Sequence, residues 1–325
     1  MSEITTNIDV VLNKLRDGDI AAIPTETVYG LAADASSDSA IKKVFATKKR
    51  PRNHPLIMHI APQWDITEWV SHIPDYAYAF MQAYWPGPLT LLLPIKSGAI
   101  NPLITGGQTS IAIRAPDHAI TTHLLLKFGK PLVAPSANPY GKISPTTAQH
   151  VKNSFPKDDF FILDGGRCRV GVESTIINAL NPLSFEISRP GIINEEQLLA
   201  VASLNPTQST THIRVPGGTA NHYQPEKKLY YVENIAKATP WLDNAETKPY
   251  VLTFSKNHQG PSISHYEFPE NSDAAAYELY YRLRIADQSE AGFIVIELPP
   301  NDPAWLTIRE RILKAGSPMN LNQKQ

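Results

Sequence analysis

Proline limits this chain's fold more than any other residue, because it locks φ and brings no backbone N–H to a ladder. There are 28 prolines among 325 residues, and they gather where apolar runs stop and in one later stretch. Ile20-Ala21-Ala22-Ile23 halts at Pro24, Leu132-Val133-Ala134 at Pro135, and Phe185-Glu186-Ile187 three residues before Pro190. Each run reads as a short buried strand with a punctuated exit. Residues 56–60, 89–93, 110–114, 160–163 and 174–177 read as further strands. Segments of helical period lie between them. Ile8, Val11, Leu12 and Leu15 fall on one face before Asp17-Gly18, residues 38–46, 76–85 and 119–128 repeat the pattern, and Asn194 with Gln197 opens a last helix through Val201 as a capping box. This alternation predicts an α/β fold around a twisted mixed sheet.

The length favours two domains. Residues 205–226 shift to Pro, Thr, Ser, Gly and Gln without period and read as a linker. Beyond it, strands at 228–232, 250–254 and 293–298 and helices at 274–285 and 304–315 make a smaller, Rossmann-like α/β domain. The expected boundaries are 1–202 for the first domain, 203–227 for a proline/glycine-rich linker and 228–325 for the second domain, with a frayed tail after Ser317. A net charge of −1 provides no global field for nucleic acid or membrane, so any anion site is local. The single cysteine, Cys168, excludes an internal disulfide framework and a cysteine-built zinc site, and suits a reducing compartment. Residues 1–6 carry no signal-peptide pattern, and the apolar run 89–93 is far too short to span a bilayer. A soluble cytoplasmic protein is expected.

Two polar stretches carry the chemistry. Pro24-Thr25-Glu26-Thr27-Val28-Tyr29-Gly30 places two hydroxyls, a carboxylate, a tyrosine and a bend-permitting glycine at a strand exit, a usual place for ligands in α/β proteins, though also the make-up of an ordinary turn. Lys48-Lys49-Arg50-Pro51-Arg52-Asn53-His54-Pro55 follows a helix that Pro51 should end between residues 48 and 50. Dipole complementarity explains Lys42 and Lys43. Lys48, Arg50 and Arg52, crowded in a proline turn, are easier to understand with a polyphosphate among them. Pro135-Ser136-Ala137-Asn138-Pro139 offers neutral donors, or side chains that cap a turn. In residues 110–114, Ile111 and Ile113 face one side and Ser110, Ala112 and Arg114 the other. Ser110 and Arg114 are then ~13 Å apart and would reach different ligand groups, unless Arg114 is a surface ion pair. Gly165-Gly166 and Gly171 allow close backbone approach before Glu173-Ser174-Thr175, while Cys168 fills space. His59, inside an apolar strand, has the setting of a core histidine.

The order Pro-Thr-Glu-Thr-Val-Tyr-Gly-Leu, Lys-x-Arg-Pro, Pro-Leu-Ile-x-His-Ile, then Ser-x-Asn, Gly-Val-Glu-Ser-Thr and Arg-Pro-Gly, resembles the YrdC/YciO superfamily, whose characterised members make threonylcarbamoyl-AMP. The resemblance implies catalytic roles for Lys48, Arg50, Ser136 and Asn138. It implies threonine contacts for Thr27, His59, Arg114, Ala134 and Ser174, and ATP contacts for Arg50, His54, Ser110, Ser136, Ser144, Arg189 and Tyr223. Many relatives have Asn where this chain has His54. Residues 216–225, with Pro216-Gly217, His222-Tyr223 and Pro225, resemble the linker of two-domain members, which makes Tyr223 a lid residue. The implied reaction is nucleotidyl transfer from ATP, accompanied by Mg2+, to L-threonine carboxylated by bicarbonate or CO2. No dedicated metal site is expected, and no Walker A or Gly-x-Gly-x-x-Gly pattern occurs. The product would pass to tRNA threonylcarbamoyltransferase machinery, with weak tRNA binding and no membrane contact. The competing readings are a tRNA- or double-stranded-RNA-binding YrdC-like module and a YciO-like paralogue with another activity. A hydrogenase-maturation relative would need cysteine-rich modules that Cys168 alone does not supply.

Overall fold

The computed structural model describes residues 2–202, 204, 206, 213–218, 222–256, 262 and 264–320. The tail expected to fray after Ser317 begins in order, with Pro318 paired to Tyr231 and Met319 N donating to Tyr231 O; its part beyond 320, part of the linker and residues 219–221 of its motif lie outside the described residues. The chain divides into a unit made of Met1–Tyr140 and Ser144–Gly218 and a second made of Gly141–Ile143 and Thr219–Gln325.

The first unit runs β1 (Glu3–Thr5), α1 (Ile8–Arg16), β2 (Ala21–Ile23), β3 (Gly30–Asp34), α2 (Asp38–Lys48), β4 (Ile57–His59), α3 (Asp75–Tyr84), β5 (Leu89–Pro94), α4 (Pro102–Thr105), β6 (Ser110–Arg114), α5 (Ala119–Phe128) and β7 (Leu132–Val133). It continues with α6 (Ala148–Ser154), β8 (Phe161–Leu163), β9 (Thr175–Asn178), β10 (Glu186–Arg189) and α7 (Glu195–Val201). Its sheet has the order β1-β8-β2-β3-β7-β4-β6-β5-β9-β10 and mixes parallel and antiparallel pairs, the twisted mixed sheet the sequence predicts. The helix stops behave as read: α2 ends at Lys48 with Lys49 left-handed at φ 53°, and α7 carries the Asn194–Gln197 capping box.

Period-2 alternation gives this sheet two unlike faces. Met58, Leu91, Leu93, Ile111, Ile113 and Val133 join the main core with Ile41, Val44 and Phe45 of α2 and Phe80 of α3. On the other face, Val11, Leu12 and Leu15 of α1 and Leu124 and Leu125 of α5 cover Ala21, Ile23, Ala32 and Leu132. That cover does not extend over β4, β6, β5 and β9. There Ile57, Leu92, Ala112 and Ile176 form a small apolar patch with Val215, from the stretch read as linker.

The second unit contains β11 (Leu229–Val232), α8 (Ile235–Asp243), β12 (Tyr250–Thr253), β13 (Ser264–Glu267), α9 (Ser272–Gln288), β14 (Ile294–Glu297), α10 (Leu306–Ala315) and β15 (Ser317–Pro318). All its pairings are parallel, in the order β13-β12-β14-β11-β15, which agrees with the Rossmann-like expectation. Glu297 closes the β14 end: its carboxylate accepts hydrogen bonds from Ile235 N at 3.0 Å, Phe254 N at 3.0 Å, Ser255 N at 2.7 Å and Ser255 Oγ at 2.7 Å. Among described residues no helix is long and apolar enough to cross a membrane.

Candidate active site

The face that α1 and α5 leave uncovered carries the polar residues. Register places His59 opposite Arg114, Ile57 opposite Ala112, Leu92 opposite Ala112, and Thr90 opposite Ile176. Residues paired in register share a face, so Arg114, His59, Thr90 and the apolar patch project the same way. Ser110, Ala112 and Arg114 do lie opposite Ile111 and Ile113, as alternation requires. Ser110 is 4% exposed.

Arg114 is the centre of this face. Its Nη1 donates to Thr27 Oγ1 at 2.8 Å, its Nε to Gly87 O at 3.3 Å, and its Nη2 lies 2.7 Å from Glu26 Oε2. It is 4% exposed, so it forms a buried ion pair rather than a surface one. The turn after β2 is organised by hydroxyl bonds. Thr25 Oγ1 donates to Val28 O at 2.6 Å, so the 2.9 Å contact between Thr25 and Thr27 leaves Thr27 as its donor. The Thr27 oxygen then receives Arg114, and the order of donors along this chain is fixed.

His59 Nδ1 sits 3.2 Å from Ile57 O. A carbonyl only accepts, so Nδ1 carries the proton and Nε2 is bare. Burial, then the nearby Arg114 charge, pushes the His59 pKa down to about 3. The imidazole is therefore neutral, and it stands on the site face instead of in the core. Ser174 Oγ meets Thr90 Oγ1 at 2.7 Å. Arg189 donates to Ser174 O through Nε at 3.1 Å and Nη2 at 2.9 Å, to Ser174 Oγ at 3.0 Å, and to Pro216 O through Nη1 at 3.0 Å. Arg189 thus holds Ser174 in place and ties residue 216 to the sheet.

A second group gathers at the exits of α2 and β7. Lys48 is 1% exposed, and its Nζ donates to Ser136 O and Asn138 O, both at 2.5 Å. Burial, with Arg50 as a second cause, holds its pKa well below the usual lysine range. Asn138 Nδ2 donates to Pro139 O at 2.8 Å, so its amide also braces the turn. Arg50 donates to Pro55 O at 2.9 Å and lies 5.5 Å from the Tyr140 ring centre. Tyr140 Oη is 3.2 Å from His54 Nδ1, and the two rings meet edge-on at 84°. Burial and then the charges of Arg50 and Arg214 lower the His54 pKa. Ser144 Oγ donates to Glu173 Oε1 at 2.6 Å. Ala134, just after β7, abuts Gly30: a Cβ there would come 2.9 Å from Ala134 Cβ. Gly30 starts β3 and serves close strand approach; it is not the tight bend that its position in the sequence suggests.

The first unit thus collects Thr27, His59, Arg114 and Ser174 on one face with Arg189, and Lys48, Ser136 and Asn138 in another hydrogen-bonded group beside Arg50 and His54. Tyr223 belongs to the second unit, where its buried ring stacks on Tyr280 at 5.7 Å, with Arg311 4.9 Å from its centre. Cys168 is buried, its thiol pushed up to about 12 by burial, which suits a packing role. Sequence reasoning missed two participants. Glu26 was one polar residue among several until its partner 88 positions away was known. Arg214 looked like linker, yet its backbone exchanges hydrogen bonds with the Gln108 side chain at 2.9 and 3.0 Å, and its guanidinium donates to Gly106 O at 2.9 Å. Among described residues no cluster of His, Cys, Asp and Glu could hold a metal ion.

The family model Sua5_yciO_yrdC, described as telomere recombination, matches residues 13–191, and a model described as threonylcarbamoyl-AMP synthase, C-terminal domain, matches residues 193–317. A threonylcarbamoyl-AMP synthase of Bacillus subtilis is 34% identical over 316 residues, 93% of this chain and 90% of the relative. One from Pyrococcus abyssi is 39% identical over 232 residues, 70% of this chain and 68% of the relative. The crystal structure of P. abyssi Sua5 complexed with L-threonine is similar at a TM-score of 0.86 and 29% identity, covering 98% of both chains.

Proposed function

The chain belongs to the Sua5/YciO/YrdC family, and on that premise we propose that it joins L-threonine, bicarbonate or CO2, and ATP into threonylcarbamoyl-AMP. The observation that carries the reading is the pair of bonds from Lys48 Nζ to Ser136 O and Asn138 O. Those bonds fasten the basic segment to a turn almost 90 residues further on, so cations and neutral donors share one place. Arg50, His54, Ser110, Ser136, Ser144 and Arg189 are the ATP contacts in this reading; Tyr223, expected as a lid residue, is instead packed against Tyr280 and Arg311 within the second unit. Thr27, His59, Arg114, Ala134 and Ser174 form the amino-acid subsite.

The substrate carboxylate is suited to the guanidinium N–H groups of Arg114 that Thr27, Gly87 and Glu26 do not use. The bare Nε2 of neutral His59 accepts a hydrogen bond without adding a charge. Once threonine carries a carbamate, the carbamate oxygen attacks the α-phosphorus, an O–P bond forms, and the bond to the β-phosphate oxygen breaks to release pyrophosphate. Transfer of this kind relies on positioning and charge neutralisation more than on a protein nucleophile. Arg50 supplies the positive charge, Lys48 holds the basic segment against the Ser136–Asn138 turn, and Mg2+ enters with ATP, held by its phosphates and water. The adenylate product is an activated carbamoyl donor for a transferase acting on tRNA.

The reading is tested by mass spectrometry of the product after incubation with threonine, ATP and 13C-bicarbonate. An AMP adduct one mass unit heavier than that made with ordinary bicarbonate is expected. Pyrophosphate formation without labelled adduct would contradict it.

A further inference from the structure

Glu26 is 2% exposed, and the subsite as drawn gives it no chemical task. Its Oε2 faces Arg114 Nη2 at 2.7 Å, while its Oε1 accepts no hydrogen bond from any described residue. A buried carboxylate oxygen without a donor is costly, so such an atom marks a place where a ligand brings the donor. The chargeable groups around it can be named element by element. β6 contributes Arg114, the segment before α5 contributes Asp117 and His118, and the loop after β8 contributes Cys168 and Arg169. Thr25 and Thr27 flank it in its own turn. Arg169 is committed to Asp117 at 2.7 Å. Cys168 is protonated at neutral pH, and burial lowers the His118 pKa. The carboxylate therefore adjoins the guanidinium assigned to the substrate carboxylate, so that opposite charges lie side by side, as the two charges of an α-amino acid do.

We propose that Glu26 Oε1 receives the ammonium group of the amino-acid substrate and accepts one of its protons, generating the amine that captures CO2. This rests on the synthase reading above. The ammonium gives one proton to Glu26. The amine nitrogen then forms an N–C bond to CO2 as one C–O π pair moves onto oxygen, and the second nitrogen proton leaves to water, so that a carbamate anion remains. Glu26 returns its proton to solvent before the next turnover. His59, the other basic group on this face, is held to a pKa of about 3 by burial and then by the Arg114 charge, which makes it a poor proton acceptor. The Glu26–Arg114 pair also explains why a carboxylate lies inside a site otherwise built for anions: it selects a zwitterion over a simple carboxylic acid.

The test is Glu26→Gln in the full-length enzyme, with pyrophosphate release followed from pH 6 to 9 and ATP and threonine binding measured separately by calorimetry. At pH 7 kcat should fall ~100-fold, then recover about tenfold per pH unit as solvent deprotonates the amine, with ATP affinity unchanged. A rate within threefold of wild type, or an equal loss at every pH, would overturn the proposal; the second outcome would make Glu26 a positioning residue only. If the Gln variant does not fold, Glu26→Asp should keep the wild-type pH profile at a reduced rate, and a full rate from that variant would overturn the proposal. Wild-type enzyme without threonine- and bicarbonate-dependent release would refute the synthase reading, and this proposal with it, before any variant is compared.

Discussion

Arg114, Arg50 and His59 each show what a single buried group does in this fold. Arg114 has three protein partners from distant parts of the chain, so its orientation is set before any ligand arrives. Arg50 is held by Pro55 O and the Tyr140 ring, both of which lie outside the strands and helices. Arg50→Ala should therefore lower pyrophosphate release by about 10²–10³, a loss of ~2.7–4 kcal/mol in transition-state stabilisation, with an unchanged melting temperature. Steady-state rates and a thermal scan on the same preparation check both halves. His59 predicts a pH effect on stability. An unfolded imidazole takes its proton below about pH 6.5, whereas His59 in the fold remains neutral down to about 3. Between these values the unfolded chain binds more protons, so stability falls as the pH drops, by at most about 1.4 kcal/mol per pH unit. Above pH 6.5 the effect vanishes. Melting temperatures from pH 7 to 4 should decline more steeply for wild type than for His59→Gln, and parallel curves would contradict the placement.

The elements differ in how far the sequence reveals them. β2, β5, β6 and α1 are legible because their apolar pattern is long enough or is stopped by Pro or Gly. β3 is not: Gly30-Leu31-Ala32-Ala33-Asp34 has little β-propensity, and it is a strand because β2 and β7 pair on either side of it. β1 is similarly short and takes its form from β8, distant in sequence, whereas α4 and α6 are short helices opened by local caps at Asn101 and Thr147. Gly30→Ala should cost ~1–3 kcal/mol, because the added methyl meets Ala134 Cβ at 2.9 Å and neither strand can yield alone. Chemical denaturation measures it; a loss below a few tenths of a kcal/mol would mean that β3 and β7 have room to part. At the β14 end, Glu297 satisfies three backbone N–H groups with one side chain. Glu297→Ala should destabilise the second unit by ~1–3 kcal/mol, since it orphans the buried Ile235 N–H while the half-buried Phe254 and exposed Ser255 donors can turn to water. Hydrogen exchange at Ile235, Phe254 and Ser255 reports it locally, and unchanged protection there would exclude the role.

For the whole molecule, the division into a larger mixed-sheet unit and a smaller parallel-sheet unit follows from composition and periodicity, but the division of labour on the first sheet does not. A face becomes a site where α1 and α5 stop covering it, and that depends on packing between segments more than 100 residues apart. The motif residues were visible as types at sequence positions. Their grouping, the commitment of Arg189 to Ser174 and Pro216, and the role of Ile213 and Val215 on the apolar patch needed coordinates. The stretch read as a tether therefore begins as part of the first unit, up to Gly218. The central claim is that this face binds an amino acid beside a nucleotide and joins them through a carbamate. The most direct measurement is the rate of pyrophosphate release from ATP, with threonine and bicarbonate each omitted in turn and with serine and valine replacing threonine. Release that requires both co-substrates and falls with the substitutes is the predicted result; release indifferent to threonine, or unaltered without bicarbonate, would contradict it.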